Sequence, residues 1–341
     1  MNQSDGAEID INCPECGRIR LSGWCNPCEF RWMNSTFSKS GNKYIDLLIL
    51  QTQKNATRTC DYLEFIDFNN IEGFEYVAKG GFGSVYEGYW MEGPRWVWDE
   101  VSAAWCRNGP TKVALKKLDD SQEPSMNFLK QLETYHRCLQ SGSMADCFGI
   151  TRDETGCFMF VMRYYENGNI YDYLESNKGI ISWRDMVDML WGIADDTIST
   201  DAKIADVGIN GPAYQSISPD KIIGVLPFID PQNLRPEISE ELRSEMPEEY
   251  FNLMNKCWDR LPENRPTAFQ LYEELGKWIN AICDDPNPSE ISNNFGLAEE
   301  KRWKTIKREI ENNKLSKDLI HEDAIYTSRI FDFSIIQKLQ N

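Results

Sequence analysis

The rhythm of apolar and polar positions changes along the chain. Phe74-Glu75-Tyr76-Val77 is strand-like, glycines follow, and residues 84–90 alternate in part; Val113-Ala114-Leu115-Lys116-Lys117-Leu118 reads as a third strand. Residues 128–139 read as a helix, with Phe128, Leu129, Leu132 and Tyr135 on one side. Residues 157–164 form a nearly continuous apolar run, the pattern of a buried strand. After Trp183 the chain is mostly helical, most clearly over 250–257 and 269–282. Strands first and helices later predict an α+β fold.

Punctuation divides the chain into four segments. Residues 8–32 hold cysteines and tryptophan without a sustained period. Residues 33–72 read as a linker with a short helix at 44–52. Residues 73–280 form the main body. Asp284-Asp285-Pro286-Asn287-Pro288-Ser289 is a breaker, so 281–341 reads as a charged helical tail with Trp303, Ile306 and Ile310 on one face.

The 341 residues are 41% apolar, enough for a sizeable core. The net charge of −18 (54 acidic against 36 basic residues) repels nucleic acid and anionic membranes, so neither is expected as a partner. The first residues lack the basic-then-apolar pattern of a signal peptide, and no apolar run near them is long enough to span a bilayer. A cytoplasmic protein with reduced thiols is expected, the nucleus being the alternative.

Two features carry chemistry in the body. Ala78-Lys79-Gly80-Gly81-Phe82-Gly83-Ser84-Val85 places glycines between two strands, where backbone amides can approach phosphate oxygens. A dinucleotide-binding turn would continue into a helix; here a strand follows. A tight hairpin turn is the competing explanation. Lys116 shares a strand face with Ala114 and offers an ammonium to phosphate charge.

These segments resemble protein kinases, near the tyrosine-kinase-like branch. Gly80, Gly83 and Val85 match the family's glycine-rich loop, with Ala78 at its first glycine, and Lys116 matches the lysine that grips the α- and β-phosphates. Residues 160–168 resemble the fifth strand, gatekeeper (Met162) and hinge. Lys203-Ile204-Ala205-Asp206-Val207-Gly208 resembles the approach to the DFG motif. Cys257-Trp258-Asp259-Arg260 with Pro262-Glu263-Asn264-Arg265-Pro266-Thr267 resembles the late C-lobe signature. The resemblance implies a two-lobed fold, with a β-rich N-lobe at 73–165 and a shortened helical C-lobe at 166–280. It also implies an ATP site in which Lys116 meets the phosphates under Gly80 and Gly83. Ala78, Gly81, Phe82, Val85, Ala114 and Met162 complete that site, the backbone near Arg163 and Tyr165 receives the adenine, and Asp206 holds Mg²⁺.

The sequence departs from the family where catalysis occurs. A kinase catalytic loop reads His-Arg-Asp and then Asn; the Asp accepts the substrate proton and the Asn holds a metal ion. The two histidines here, His136 and His321, both lie elsewhere. Asp172 and Asn177 have the right spacing but directly follow the hinge and read as helix. Residues 183–193 resemble the helix before the loop, after which 194–200 run straight into Asp201-Ala202-Lys203. A second gap follows residues 225–232, which resemble the Ala-Pro-Glu segment with Asp230 for its Ala and Gln232 for its Glu. Arg235-Pro236-Glu237-Ile238 comes at once, so the long apolar C-lobe helix is missing, and Arg265 would face a neutral amide. Gln131 stands where a glutamate should bridge to Lys116; Glu133 lies about 200° further round that helix.

Near the N-terminus, Cys13-Pro14-Glu15-Cys16 and Cys25-Asn26-Pro27-Cys28 form two CxxC pairs separated by eight residues. That spacing suits a closed, structural Zn²⁺ site on Cys13, Cys16, Cys25 and Cys28; two disulfides or idle thiols are the alternatives. The other seven cysteines read as small core residues. The resulting expectation is a pseudokinase that binds ATP with Mg²⁺ weakly, has no catalytic residue, and serves protein partners as a signalling scaffold or regulator. The alternative is an active Ser/Thr or Tyr kinase whose missing loop reflects a faulty gene model.

Overall fold

The computed structural model describes residues 12–13, 15–19, 23–59, 61–79, 83–102, 104–119, 121–124, 126–139, 146–177, 180–194, 221–224, 238–283, 288–311 and 329–332. The chain divides into two compact units, Met1–Tyr164 with Ala205–Ile217, and Tyr165–Ile204 with Ser218–Asn341. The first is built on a sheet and the second is mainly helical, the α+β composition of a kinase-like two-lobed fold.

The first unit contains, in chain order, α1 (Asn26–Ser35), α2 (Lys43–Asn55), β1 (Glu64–Phe65), β2 (Ile71–Lys79), β3 (Gly83–Trp90), β4 (Arg95–Asp99), β5 (Ala104–Arg107), β6 (Thr111–Leu118), α3 (Met126–Leu139), β7 (Cys147–Arg152) and β8 (Phe158–Arg163). Six strands form one sheet in the order β1-β7-β8-β6-β3-β2, antiparallel except for β1 beside β7; β4 and β5 make a separate hairpin. Alternation along β6 sends Val113 and Leu115 to one face, where they are fully buried with Trp90, Met159, Val161 and Phe148. Trp96, from the β4–β5 hairpin, packs against this cluster. The opposite face carries Phe160, which meets Tyr135 of α3 at 6.1 Å between rings.

The segment expected as a linker is folded into this unit. Asn42 caps α2 by accepting from the Tyr44 and Ile45 N–H groups, and α2 buries Ile45 and Ile49 completely. Each buried isoleucine is worth roughly 1.5–3 kcal/mol, enough to hold a helix that would be marginal alone. The Gln53 amide donates to the Leu63 carbonyl at 3.0 Å and ties α2 to the entry of β1.

The second unit contains α4 (Ile170–Ser176), α5 (Trp183–Ala194), β9 (Lys221–Gly224), α6 (Glu240–Ser244), α7 (Glu248–Cys257), α8 (Ala268–Cys283), α9 (Glu290–Glu311) and β10 (Arg329–Asp332), with β9 and β10 antiparallel. Its core is Trp183 and Val187 from α5, Leu275 and Trp278 from α8, and Phe295 and Ala298 from α9. The helix expected in a tail therefore contributes to the core. Polar contacts fix it there: the Glu299 carboxylate accepts from the Trp183 N–H at 2.8 Å, and the Thr305 hydroxyl donates to Glu245 at 2.6 Å.

The buried face of α9 is not the one that carries Trp303 and Ile310. It runs through Ile291, Phe295 and Ala298, whereas Trp303 and Ile310 are about half exposed. Trp303 donates its indole N–H to Glu299 at 2.7 Å and stays at the surface, because α5 and α8 offer their apolar surface to the other side. Trp278→Ala is accordingly expected to lower the stability of this unit by about 3–5 kcal/mol. Trp303→Ala should change it by about 0.5 kcal/mol or less. Denaturant titration of both variants checks this, and equal losses would reverse the face assignment.

The cysteines outside the N-terminal four do not share one role. Cys147 and Cys157 are buried, and burial pushes the Cys147 thiol up to about 12. Cys106 and Cys283 are exposed, against the core expectation: Cys106 lies in the two-stranded β4–β5 hairpin, and Cys283 is the last residue of α8. Cys60 and the Cys138 side chain lie outside the described residues.

Candidate functional site

Strand register brings several of the expected site residues of the first unit together. Ala78 pairs with Val85, Val85 with Lys116, and Lys116 with Phe160, a row running across β2, β3, β6 and β8. The next row on the same face is Glu87, Ala114 and Met162. Paired residues share a face and alternate residues return to it, so Val85, Ala114, Lys116 and Met162 lie together on the side where Phe160 meets α3. Gly83 begins β3 opposite Leu118, and a Cβ there would lie 2.1 Å from the Lys117 carbonyl oxygen. Its glycine is required by the approach of two strands, whatever a ligand adds. Gly80, Gly81, Phe82 and Asp206 lie outside the described residues.

Charged side chains on both faces of the sheet are paired, Lys112 on the Lys116 face and Lys117 and Arg163 on the other. Lys117 meets Asp153 at 2.5 Å; burial works against its charge, but Asp153 holds its pKa above the ordinary lysine value. Lys112 meets Glu87 at 3.2 Å and lies 4.0 Å from the centroid of the Tyr164 ring. Hydrogen bonds from Lys112 and then Tyr164 hold the Glu87 carboxyl below its usual range. Arg163 donates its N–H to the Asp146 carbonyl at 2.9 Å and its guanidinium to the Asp146 carboxylate at 3.1 Å. Tyr165 opens the second unit.

Asp172, Asn177 and His136, the groups closest in type or spacing to those of a kinase catalytic loop, have structural partners. Asp172 accepts from the Asn169 N–H at 3.0 Å while Asn169 accepts from the Asp172 N–H at 3.1 Å, a reciprocal cap at the start of α4. Asn177 donates to the Tyr173 carbonyl at 2.8 Å and closes the other end of the same helix. His136 is buried in α3 with Nε2 2.9 Å from the Asp61 carbonyl oxygen. Glu133 of α3 is exposed, and Arg265 donates Nε–H to the Asp259 carbonyl at 2.8 Å. The Gln131 side chain, Asp230, Gln232 and His321 are outside the described residues.

The four N-terminal cysteines converge. Their sulfur atoms all lie within 4.8 Å of one another, with Cys13 to Cys28 at 3.7 Å and Cys16 to Cys25 at 3.6 Å. A disulfide needs about 2.05 Å, so these are separate thiols. Four sulfurs about 2.3 Å from a tetrahedral Zn²⁺ stand about 3.8 Å apart, close to the observed separations, so the site fits zinc. Local sequence explains the convergence. Gly17, at φ +71°, turns the first knuckle so that its N–H reaches the Cys13 carbonyl at 2.8 Å while the Cys13 N–H reaches Arg18 at 2.7 Å. In the second, Cys25 is the N-cap of α1, Pro27 fits its first turn, and the Cys28 N–H donates to the Cys25 carbonyl at 3.0 Å. A backbone hydrogen bond from Arg18 brings the Cys16 thiol down to about 7, while burial raises Cys25 and Cys28. A divalent cation would supply the charge that lets all four bind as thiolates.

Sequence reasoning passed over the β4–β5 hairpin and the buried charges it carries. Its signals were the alternation of Trp96 and Trp98 and the Gly93-Pro94 and Gly109-Pro110 punctuation on either side. Residues 71–197, from β2 through α5, match the family model for protein tyrosine and serine/threonine kinases. No curated protein matches the chain.

Proposed function

We propose that this chain is a pseudokinase: a kinase-like domain that binds nucleotide, transfers no phosphate, and works as a scaffold or regulator for protein partners. The observation that carries the reading is a contrast. The Ala78–Val85–Lys116–Phe160 row is intact, while Asp172 and Asn177, the pair with catalytic-loop spacing between the hinge and Asp206, serve the two ends of α4. Lys116 would meet the phosphates, with Asp206 as the Mg²⁺ ligand and Met162 bordering the adenine. The magnesium ion would neutralise phosphate charge when bound. Cys13, Cys16, Cys25 and Cys28 would hold one structural zinc. The net charge of −18 favours protein partners over nucleic acid, and no helix among the described residues is long and apolar enough to cross a membrane.

Thermal denaturation with Mg·ATP tests the nucleotide site. At ten times its Kd the ligand should raise Tm by about 3–6 °C. Lys116→Met should abolish the shift, and an equal shift in wild type and variant would place the ligand elsewhere. An active kinase encoded by a longer transcript is the second reading, favoured by family-like sequence on both sides of each gap. Transcript sequencing that finds a His-Arg-Asp loop between residues 194 and 203 would replace the pseudokinase reading.

A further inference from the structure

The metal ligands and the groups that grip the β4–β5 hairpin alternate within one short stretch, residues 23–32. Gly23 accepts from the Trp105 indole N–H at 3.2 Å, and the Trp24 ring lies 6.1 Å from that of Trp105. Cys25 and Cys28 follow as two of the four sulfurs. One residue after Cys28, Glu29 forms an ion pair with Arg95 in which both side chains are about nine-tenths buried. One turn further along α1, the Trp32 ring receives the Arg95 guanidinium at 4.0 Å. Arg107, on the other strand of the hairpin, also approaches Trp32, at 5.7 Å, and pairs with Glu64 of β1 at 2.5 Å.

The hairpin in turn covers the sheet face that α3 does not. Trp96 meets Phe148 at 5.0 Å between rings, and the Arg163 guanidinium lies 4.9 Å from its centroid. Arg163 directly follows Met162. A continuous set of contacts thus runs from the cysteines through Glu29 and Arg95 to the strand bearing the gatekeeper position.

We propose that the cysteine knuckle is a metal-set latch: metal in the four-thiol site fixes residues 23–32, and these hold the β4–β5 hairpin against the kinase-like sheet. The latch rests on the zinc reading above and extends it, since a structural metal need stabilise nothing beyond its own knuckle. Losing the metal removes the restraint on the first turn of α1, the turn that positions Glu29. A buried carboxylate and guanidinium hold together only when well placed, so their loosening releases Arg95 and then Trp96. Coupling of this kind is reciprocal: weakening the hairpin's grip must weaken the metal.

The test uses the full chain, its metal content and amide hydrogen exchange. Zinc-loaded protein is compared with protein stripped by a chelator. Stripping should speed exchange across residues 95–107 about tenfold or more, with α7 and α8 unchanged. Trp105→Ala, which removes no ligand, should weaken zinc binding about tenfold. A chain that takes up no zinc overturns both this latch and the zinc reading. A chain that holds zinc, yet keeps hairpin protection when stripped, overturns the latch alone. Unchanged zinc affinity in Trp105→Ala, or exchange that rises equally in both units, also overturns it.

Discussion

Purified protein is expected to carry about one zinc per chain, and a Cys13→Ser/Cys25→Ser variant none. The double substitution takes one sulfur from each knuckle and leaves Cys16 and Cys28, half of a closed tetrahedral set. Two thiolates do not hold zinc as four do, and the substituted hydroxyls are poor ligands for it. The energetic consequence should be large. Structural zinc contributes about 10–16 kcal/mol of apparent folding free energy in isolated finger peptides. Here the knuckle belongs to a unit with its own core around Val113, Leu115 and Val161, so part of that loss appears as a lowered transition and not as complete unfolding. Metal analysis alongside thermal denaturation measures both effects. Zinc content unchanged in the double variant would assign the metal to other ligands.

Strand periodicity and glycine placement made the central sheet legible. The period of two in residues 113–118 set Lys116 apart from the core-facing Val113 and Leu115, and the observed register gives the same division. The paired CxxC spacing likewise announced a four-sulfur cluster, because two short knuckles have few other ways to bury so many thiols. What stayed hidden depends on contacts distant in sequence. Glu29 and Arg95 are 66 positions apart, and neither has a local signal marking it as half of a buried pair. The strand at β7, Cys-Phe-Gly-Ile-Thr-Arg, is buried through most of its length and shows no alternation to detect. On α9 the shared face of Trp303, Ile306 and Ile310 was legible, but which face is buried was not. Burial there was decided by α5 and α8, which receive Phe295 and Ala298, while the indole of Trp303 found a carboxylate at the surface. The kinase-like body was readable as a pattern, whereas its extensions became readable only once their partners were in place.

Incubation with radiolabelled ATP is expected to transfer no phosphate to protein substrates. Phosphoryl transfer relies on alignment and charge stabilisation, which leaves room for slow turnover without a dedicated base. Loss of a general base alone costs roughly 10²–10⁴ in rate. Here the second metal ligand is missing from the sequence as well, and on the proposed reading Gln131 stands where the lysine's charged partner would be. Asp172 and Asn177 offer no substitute, since each is held in a hydrogen bond at an end of α4. His136 offers none either, buried in α3 against the Asp61 carbonyl. Gln131→Glu should therefore restore the lysine's partner without restoring transfer, because nothing aligns the acceptor hydroxyl. Asp206→Asn is the deciding control, as it removes the proposed Mg²⁺ ligand while preserving shape. Transfer by the wild type that disappears in Asp206→Asn would overturn the pseudokinase reading and assign the base's role to another carboxylate, with Asp195 and Asp196 the first to substitute.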